Sequence, residues 1–118
     1  MTGKILIVED DADTRDGLTV LFQLEDFQIV TAADGHAGLE VADMEHPDLI
    51  VTDIMMPKLD GIEMIKRLRA QIRFSLVPII ALSGYNDKAL EAVKAGANSS
   101  MLKPVTVASL IKTVKRMI

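Results

Sequence analysis

Cysteine is absent from this 118-residue sequence. That excludes disulfides, thiolate metal sites and cysteine nucleophiles, and points to a reducing, cytoplasmic setting. No run of about 18 apolar residues occurs, so no membrane span is expected. Met1 to Lys4, followed by a short apolar run, lacks the anatomy of a signal peptide. Basic charge is scarce: the net charge is −4, and the one cationic cluster is Lys112, Lys115 and Arg116. That cluster falls near the end of a helical pattern, where it suits the negative end of the helix dipole. Nucleic acid normally needs a basic stripe and is therefore not expected as a direct ligand. Linkers, low-complexity segments and internal repeats are missing too. What remains is 49% hydrophobic and 25% charged, too apolar for disorder. Its length fits one domain, residues 1–118, large enough to bury roughly two-thirds of the surface of its unfolded chain.

Five short apolar runs recur, beginning near Ile5, Gln28, Asp48, Val77 and Ser99. Between them lie stretches with helical spacing. Val107, Leu110, Ile111, Val114 and Met117 follow the i, i+3, i+4, i+7 pattern of one buried face, with Thr106 placed to cap it. Leu18, Leu21 and Phe22 mark the first helix, Leu39 and Ala42 the second, Ile62, Ile65 and Leu68 the third, and Leu90 and Val93 the fourth. Asp60 and Glu63 have the spacing of a capping box at the start of the third. Strands alternating with helices imply an α/β fold with a parallel sheet covered on both faces. Ile5 to Val8, Leu49 to Val51 and Val77 to Leu82 are almost wholly apolar, as central strands should be; Gln28 to Ala32 and Ser99 to Leu102 are more polar or shorter. The expected fold is a doubly wound, flavodoxin-like sheet of five strands in the order 2-1-3-4-5, with five helices.

In that order the winding reverses between strands 1 and 3, and ligands bind beyond the carboxyl ends of the strands at such a reversal. Strand 1 runs into Glu9, Asp10 and Asp11, strand 3 into Asp53, strand 4 into Ser83 and strand 5 into Lys103. The information lies in the coincidence at four strand ends. Two carboxylates about 5 Å apart repel by roughly 3 kcal/mol at an effective dielectric of 20, which the site can relieve by raising a pKa or by binding a cation. An oxygen-only ligand set suits Mg²⁺ or Mn²⁺, which can neutralise charge during phosphoryl transfer. A carboxylate is a competent nucleophile toward phosphorus, Ser83 could donate to a phosphoryl oxygen, and Lys103 could pair with one as a point charge. Asp11 is expected to cap the first helix instead. Asp53 precedes Met55, Met56 and Pro57, so no helix starts there for it to cap. His36 and His46 have no partner pattern and read as surface histidines, and the seven methionines as core or loop filler.

Over essentially its whole length the sequence resembles the receiver domain of two-component response regulators, the flavodoxin-like fold of the chemotaxis regulator. The markers are Ile5 to Asp11, Asp53 to Gly61 with Pro57 and Asp60-Gly61, Ser83 after strand 4, and Lys103-Pro104. The resemblance implies that Asp53 accepts a phosphoryl group from a sensor histidine kinase or a phosphotransfer protein. It implies that Asp10 binds Mg²⁺ directly, Glu9 through water, and Met55 through its backbone carbonyl. Ser83 is then the hydroxyl that moves to the phosphoryl group, Lys103 the essential lysine, and the bond before Pro104 cis. The surface of helix 4, strand 5 and helix 5 is expected to switch, with a phosphorylation-dependent homodimer as one outcome. The chain is expected to be no enzyme beyond its own phosphorylation and dephosphorylation, and could be a stand-alone receiver or a segment of a longer regulator or hybrid kinase. Two positions depart from the pattern: Ser100 stands where many receivers carry Tyr or Phe, and Val105 where many carry Phe. Coupling is therefore expected to run through the loop from Ser83 to Asn86 and through Lys103.

Four other readings compete. A haloacid dehalogenase-type phosphatase needs two acids two apart with Thr or Val two further on; Asp11 and Asp13 have the spacing, but Arg15 follows. A flavodoxin needs a Ser/Thr/Gly-rich phosphate loop where this chain has acids. An EF-hand loop on Gly17 would put Ala12 and Gln23 at its first and last ligand positions. The intact acid set argues against a pseudo-receiver that only binds partners.

Overall fold

The computed structural model describes residues 3–118; the first two positions of the 1–118 expectation, Met1 and Thr2, lie outside the described residues. Five strands, β1 (Lys4–Val8), β2 (Gln28–Ala32), β3 (Leu49–Asp53), β4 (Ile79–Ser83) and β5 (Ser99–Leu102), alternate with five helices, α1 (Ala12–Leu24), α2 (Gly35–Glu45), α3 (Gly61–Arg69), α4 (Asn86–Ala95) and α5 (Val107–Met117). A single 3-10 turn, Ile72–Phe74, precedes β4. All strand pairs are parallel, in the order β2-β1-β3-β4-β5, as the polarity of the strands predicts. No helix among the described residues is long and apolar enough to cross a membrane.

The side-chain period of two divides each central strand between two cores. Ile5, Ile7, Leu49, Val51, Ile80 and Leu82 face one way and pack with Phe22, Leu110 and Val114 of α1 and α5. Leu6, Val8, Ile50, Ile79 and Ala81 face the other and pack with Ala42, Ile62, Met64, Ile65, Leu68 and Ala92 of α2, α3 and α4. Four helices begin on a side-chain cap: Asp11 accepts from the Thr14 amide, Asp34 from Ala37, Asp60 from Glu63 and Thr106 from Ser109. The N-terminus of α4 follows Tyr85 and has no such bond.

Three expectations needed correction. The fourth helix buries Ala89 and Ala92, leaving Leu90 and Val93 exposed. It lies against α3, β4 and β5, where small side chains permit close approach, so its large apolar residues point outward. The strand expected to begin near Val77 begins at Ile79, although the Pro78 carbonyl already accepts from the Ile50 amide at 2.9 Å; proline has no N–H to contribute to a ladder. In α5, likewise, Val107 sits at the edge of the buried face while Thr113 lies inside it.

Candidate functional site

The parallel register carries the strand ends to one rim. Asp53 is the last residue of β3 and pairs with Leu82, one residue before Ser83. Glu9 extends β1 by one ladder bond, its amide donating to the Ala32 carbonyl at 3.0 Å. Carboxylate oxygens of Glu9, Asp10 and Asp53 lie within 4.8 Å of one another. Glu9 and Asp53 are buried and Asp10 is exposed. Lys103, carried past the end of β5, places Nζ 2.8 Å from Asp53 Oδ1, and its own amide donates to the Ser83 carbonyl at 2.7 Å. The Lys103–Pro104 peptide is cis, as the resemblance implies.

The two oxygens of Asp53 differ. Oδ1 accepts from Lys103 and from the Ile54 amide at 3.0 Å. Oδ2 accepts no hydrogen bond among the described residues, and since no fully buried side-chain oxygen among them lacks a partner, it is not sealed from solvent. One oxygen is held while the other is open, beside two more carboxylates. Burial, then the neighbouring charges of Asp53 and Asp10, push Glu9 up to about 7, against the opposing pull of the Asp11 amide and Lys103. Burial alone would lower the Lys103 ammonium; its hydrogen bond to Asp53 and the surrounding acids outweigh that and raise it. The donor set of three carboxylates, all oxygen, against one ammonium fits a hard divalent cation better than any soft metal.

Ser83 is buried at the end of β4, and its hydroxyl is engaged by Tyr85. It donates to the Tyr85 carbonyl at 2.9 Å and accepts from the Tyr85 amide at 3.0 Å. Met55 lies in the turn two residues past Asp53 with its side chain half in solvent. Asp11 takes the expected cap position: Oδ2 accepts from the amide and hydroxyl of Thr14 at 2.9 and 2.6 Å, and these bonds, the hydroxyl first, lower its pKa. Sequence reasoning assigned no structural role to three further contributors. Arg15 reaches back from α1 and donates to the Glu9 carbonyl at 2.9 Å, tying the acidic loop to the helix. Gly35 and Gly61 let the β3–α3 loop pass close: a Cβ on Gly35 would strike the Leu59 carbonyl, and one on Gly61 the Asp53 carbonyl. The Asp60-Gly61 pair was a legible signal for the second contact. An apolar groove of about 480 Å³ between Leu18, Val105 and Leu110 lies beside Lys103, not over the carboxylates.

Comparison with known proteins gives a consistent result. A family model described as the response regulator receiver domain matches residues 5–115. The chain is 38% identical over 116 residues to the alkaline phosphatase synthesis transcriptional regulatory protein PhoP of Bacillus subtilis, covering 98% of this chain and 48% of that protein. It is 34% identical over 115 residues to the transcriptional regulatory protein PrrA of Mycobacterium tuberculosis, covering 98% and 49%. The chain thus spans about half the length of these curated relatives. Among solved structures, the chemotaxis response regulator CheY4 of Vibrio cholerae superposes with a TM-score of 0.93 at 30% identity, covering 100% of both chains. The receiver domain of sensor histidine kinase PA1611 from Pseudomonas aeruginosa, solved with a magnesium ion in its active-site cleft, superposes at 0.91 with 28% identity, covering 99% of this chain and 98% of that one.

Proposed function

This chain belongs to the response regulator receiver domain family, the phosphoryl-accepting modules of two-component signal transduction, and we propose that Asp53 is its acceptor. The observation that carries this reading is the division of labour within one carboxylate: Oδ1 fixed by Lys103 and a backbone amide, Oδ2 open at the rim. In the transfer, Oδ2 attacks the phosphorus of a phosphohistidine on a histidine kinase or phosphotransfer protein. The P–N bond breaks and its electron pair leaves with the imidazole nitrogen. Lys103 pairs with the charge that arrives, and Ser83 reaches a phosphoryl oxygen by giving up its bonds to Tyr85. Water attacking the same phosphorus returns the carboxylate. Catalysis is thus limited to the domain's own phosphorylation and dephosphorylation.

Glu9, Asp10 and Asp53, with the Met55 carbonyl, would hold Mg²⁺ or Mn²⁺, which supplies charge neutralisation during transfer. Three clustered carboxylates and a raised Glu9 support that assignment. The magnesium described for the PA1611 receiver supports it by likeness. A cytoplasmic kinase partner and a phosphorylation-dependent homodimer belong to the same reading. The phosphatase alternative gains no support, since Asp11 is engaged by Thr14 at the start of α1. Acetyl phosphate with Mg²⁺ is expected to add one acid-labile phosphoryl group, lost on chelation and absent from Asp53→Asn. Undiminished labelling of that variant overturns the assignment.

A further inference from the structure

At the opposite end of the sheet from the acids, Arg69 closes α3 and reaches into a junction of four segments. Nε donates to the Gly96 carbonyl at 2.9 Å; Nη1 donates to the carbonyls of Phe74 at 2.6 Å and Val77 at 2.8 Å; Nη2 donates to Asn98 Oδ1 at 2.8 Å. Asn98 Oδ1 also accepts from the Ile79 amide at 2.9 Å, and the Asn98 amide donates to the Ile79 carbonyl at 2.8 Å. The guanidinium thus joins the end of α3, the 3-10 turn, the start of β4 and the link from α4 to β5. It has no carboxylate partner among the described residues. Neutral oxygens satisfy it, and one of them, the Gly96 carbonyl, closes α4 at the negative end of its dipole. Gly96 has φ +127°, and a Cβ there would strike the Arg69 stem, so side chain and backbone are fitted to each other.

The other end of α4 is held differently. Of the five α-helices among the described residues, it is the one whose N-terminus lacks a side-chain cap. What holds it is the Ser83 hydroxyl, bonded to both backbone groups of Tyr85, whose carbonyl also accepts the first helical bond from Ala89 at 3.0 Å. One end of the helix therefore hangs on a hydroxyl beside the acceptor, and the other is fastened by a single planar side chain that bonds the Gly96 carbonyl and Asn98 while its remaining two bonds tie it to Phe74 and Val77.

We propose that Arg69 is a pivot: it fixes the C-terminal end of α4, so that displacement of the Ser83 hydroxyl swings the helix about Gly96 instead of translating it. The swing moves Leu90 and Val93, the exposed apolar residues of α4, while the α4–β5 link stays in place. This device operates where Ser100 leaves no aromatic side chain to follow the hydroxyl inward. The swing rests on the Asp53 reading, whereas the anchorage does not, and the test separates them. Beryllofluoride with Mg²⁺ added to the isotope-labelled protein is expected to shift amides from Gly84 to Ala92 and to leave Gly96, Ala97 and Asn98 near their starting positions. Equal shifts at both ends of α4 overturn the pivot. No shift at Asp53 or Lys103 defeats the acceptor reading, and with it the swing. The anchorage is then decided by hydrogen exchange in the ligand-free protein. Arg69→Lys keeps the charge but loses the planar fork. It is expected to raise exchange at Gly96, Ala97 and Ile79 at least tenfold while leaving Ala89 unchanged, and a uniform change along α4, or none, overturns the anchorage.

Discussion

The two ends of the sheet treat charge in opposite ways. At the carboxyl ends of the strands, three carboxylates share one lysine, and burial and mutual repulsion raise Glu9. At the other end, one arginine meets no acid among the described residues and has neutral oxygens on four of its N–H bonds. The first arrangement is crowded with like charge and reaches solvent through Asp10, so an arriving cation or phosphoryl group would change it. The second is saturated, so little can change there without breaking hydrogen bonds. In the pivot proposed above, the first arrangement supplies the displacement and the second the fixed point.

Removing the counter-charge at the rim tests the contrast most severely. Lys103→Met leaves Asp53 Oδ1 with only the Ile54 amide, and labelling by acetyl phosphate is expected to slow about a hundredfold, in the range seen when one preorganised electrostatic donor is lost. Mg²⁺ affinity, read by titration calorimetry, should hold or rise. A normal labelling rate would mean that the lysine is not part of the chemistry. At the other end, Arg69→Met strips donors from part-buried carbonyls without touching the acids. Denaturant unfolding should show a loss of about 3 kcal/mol. A loss under about 1 kcal/mol would make the junction ordinary surface.

The raised Glu9 gives the rim a pH signature. Its pKa is higher in the folded chain than the ordinary 4.5, so the folded state binds the proton more tightly. The stability this confers is complete below about pH 4.5 and is lost as pH rises through about 7. Between pH 5 and 7.5 the metal-free protein should lose about 2 kcal/mol more than Glu9→Gln does. Saturating Mg²⁺ should flatten the difference. Equal slopes for the two proteins would remove Glu9 from the repulsion. The smallest effect belongs to Asp10, which is exposed. Asp10→Asn should weaken Mg²⁺ binding and raise the melting temperature of the metal-free protein by no more than about 3 °C, exposed charges being weakly coupled. A clear drop in that temperature would contradict a crowded acidic rim.

The strand order was legible because the chain writes burial into polarity: β1, β3 and β4 are almost continuously apolar, whereas β2 and β5 carry Gln28, Thr31, Ser99 and Ser100. The convergence of Glu9, Asp10, Asp53 and Lys103 was legible for the same reason, since parallel strands must end on one rim. The buried face of α4 was not, because Ala89 and Ala92 carry little periodic signal and the larger Leu90 and Val93 point outward. Nor was the bonding of the Ser83 hydroxyl to Tyr85, which depends on a loop torsion. The Arg69 junction joins residues up to 29 positions apart, and three of its four acceptors are backbone carbonyls, which every residue type supplies, so no side-chain pattern announces it.

The central claim is that one carboxylate, Asp53, takes the phosphoryl group. The most direct measurement is to phosphorylate with acetyl phosphate and Mg²⁺, reduce the acyl phosphate with borohydride, and map the product by peptide mass spectrometry. Reduction converts a phosphorylated aspartate to homoserine and leaves free carboxylates unchanged. The expected result is homoserine at position 53 alone, dependent on Mg²⁺. Homoserine at position 10 or 11 with Asp53 intact would contradict the account.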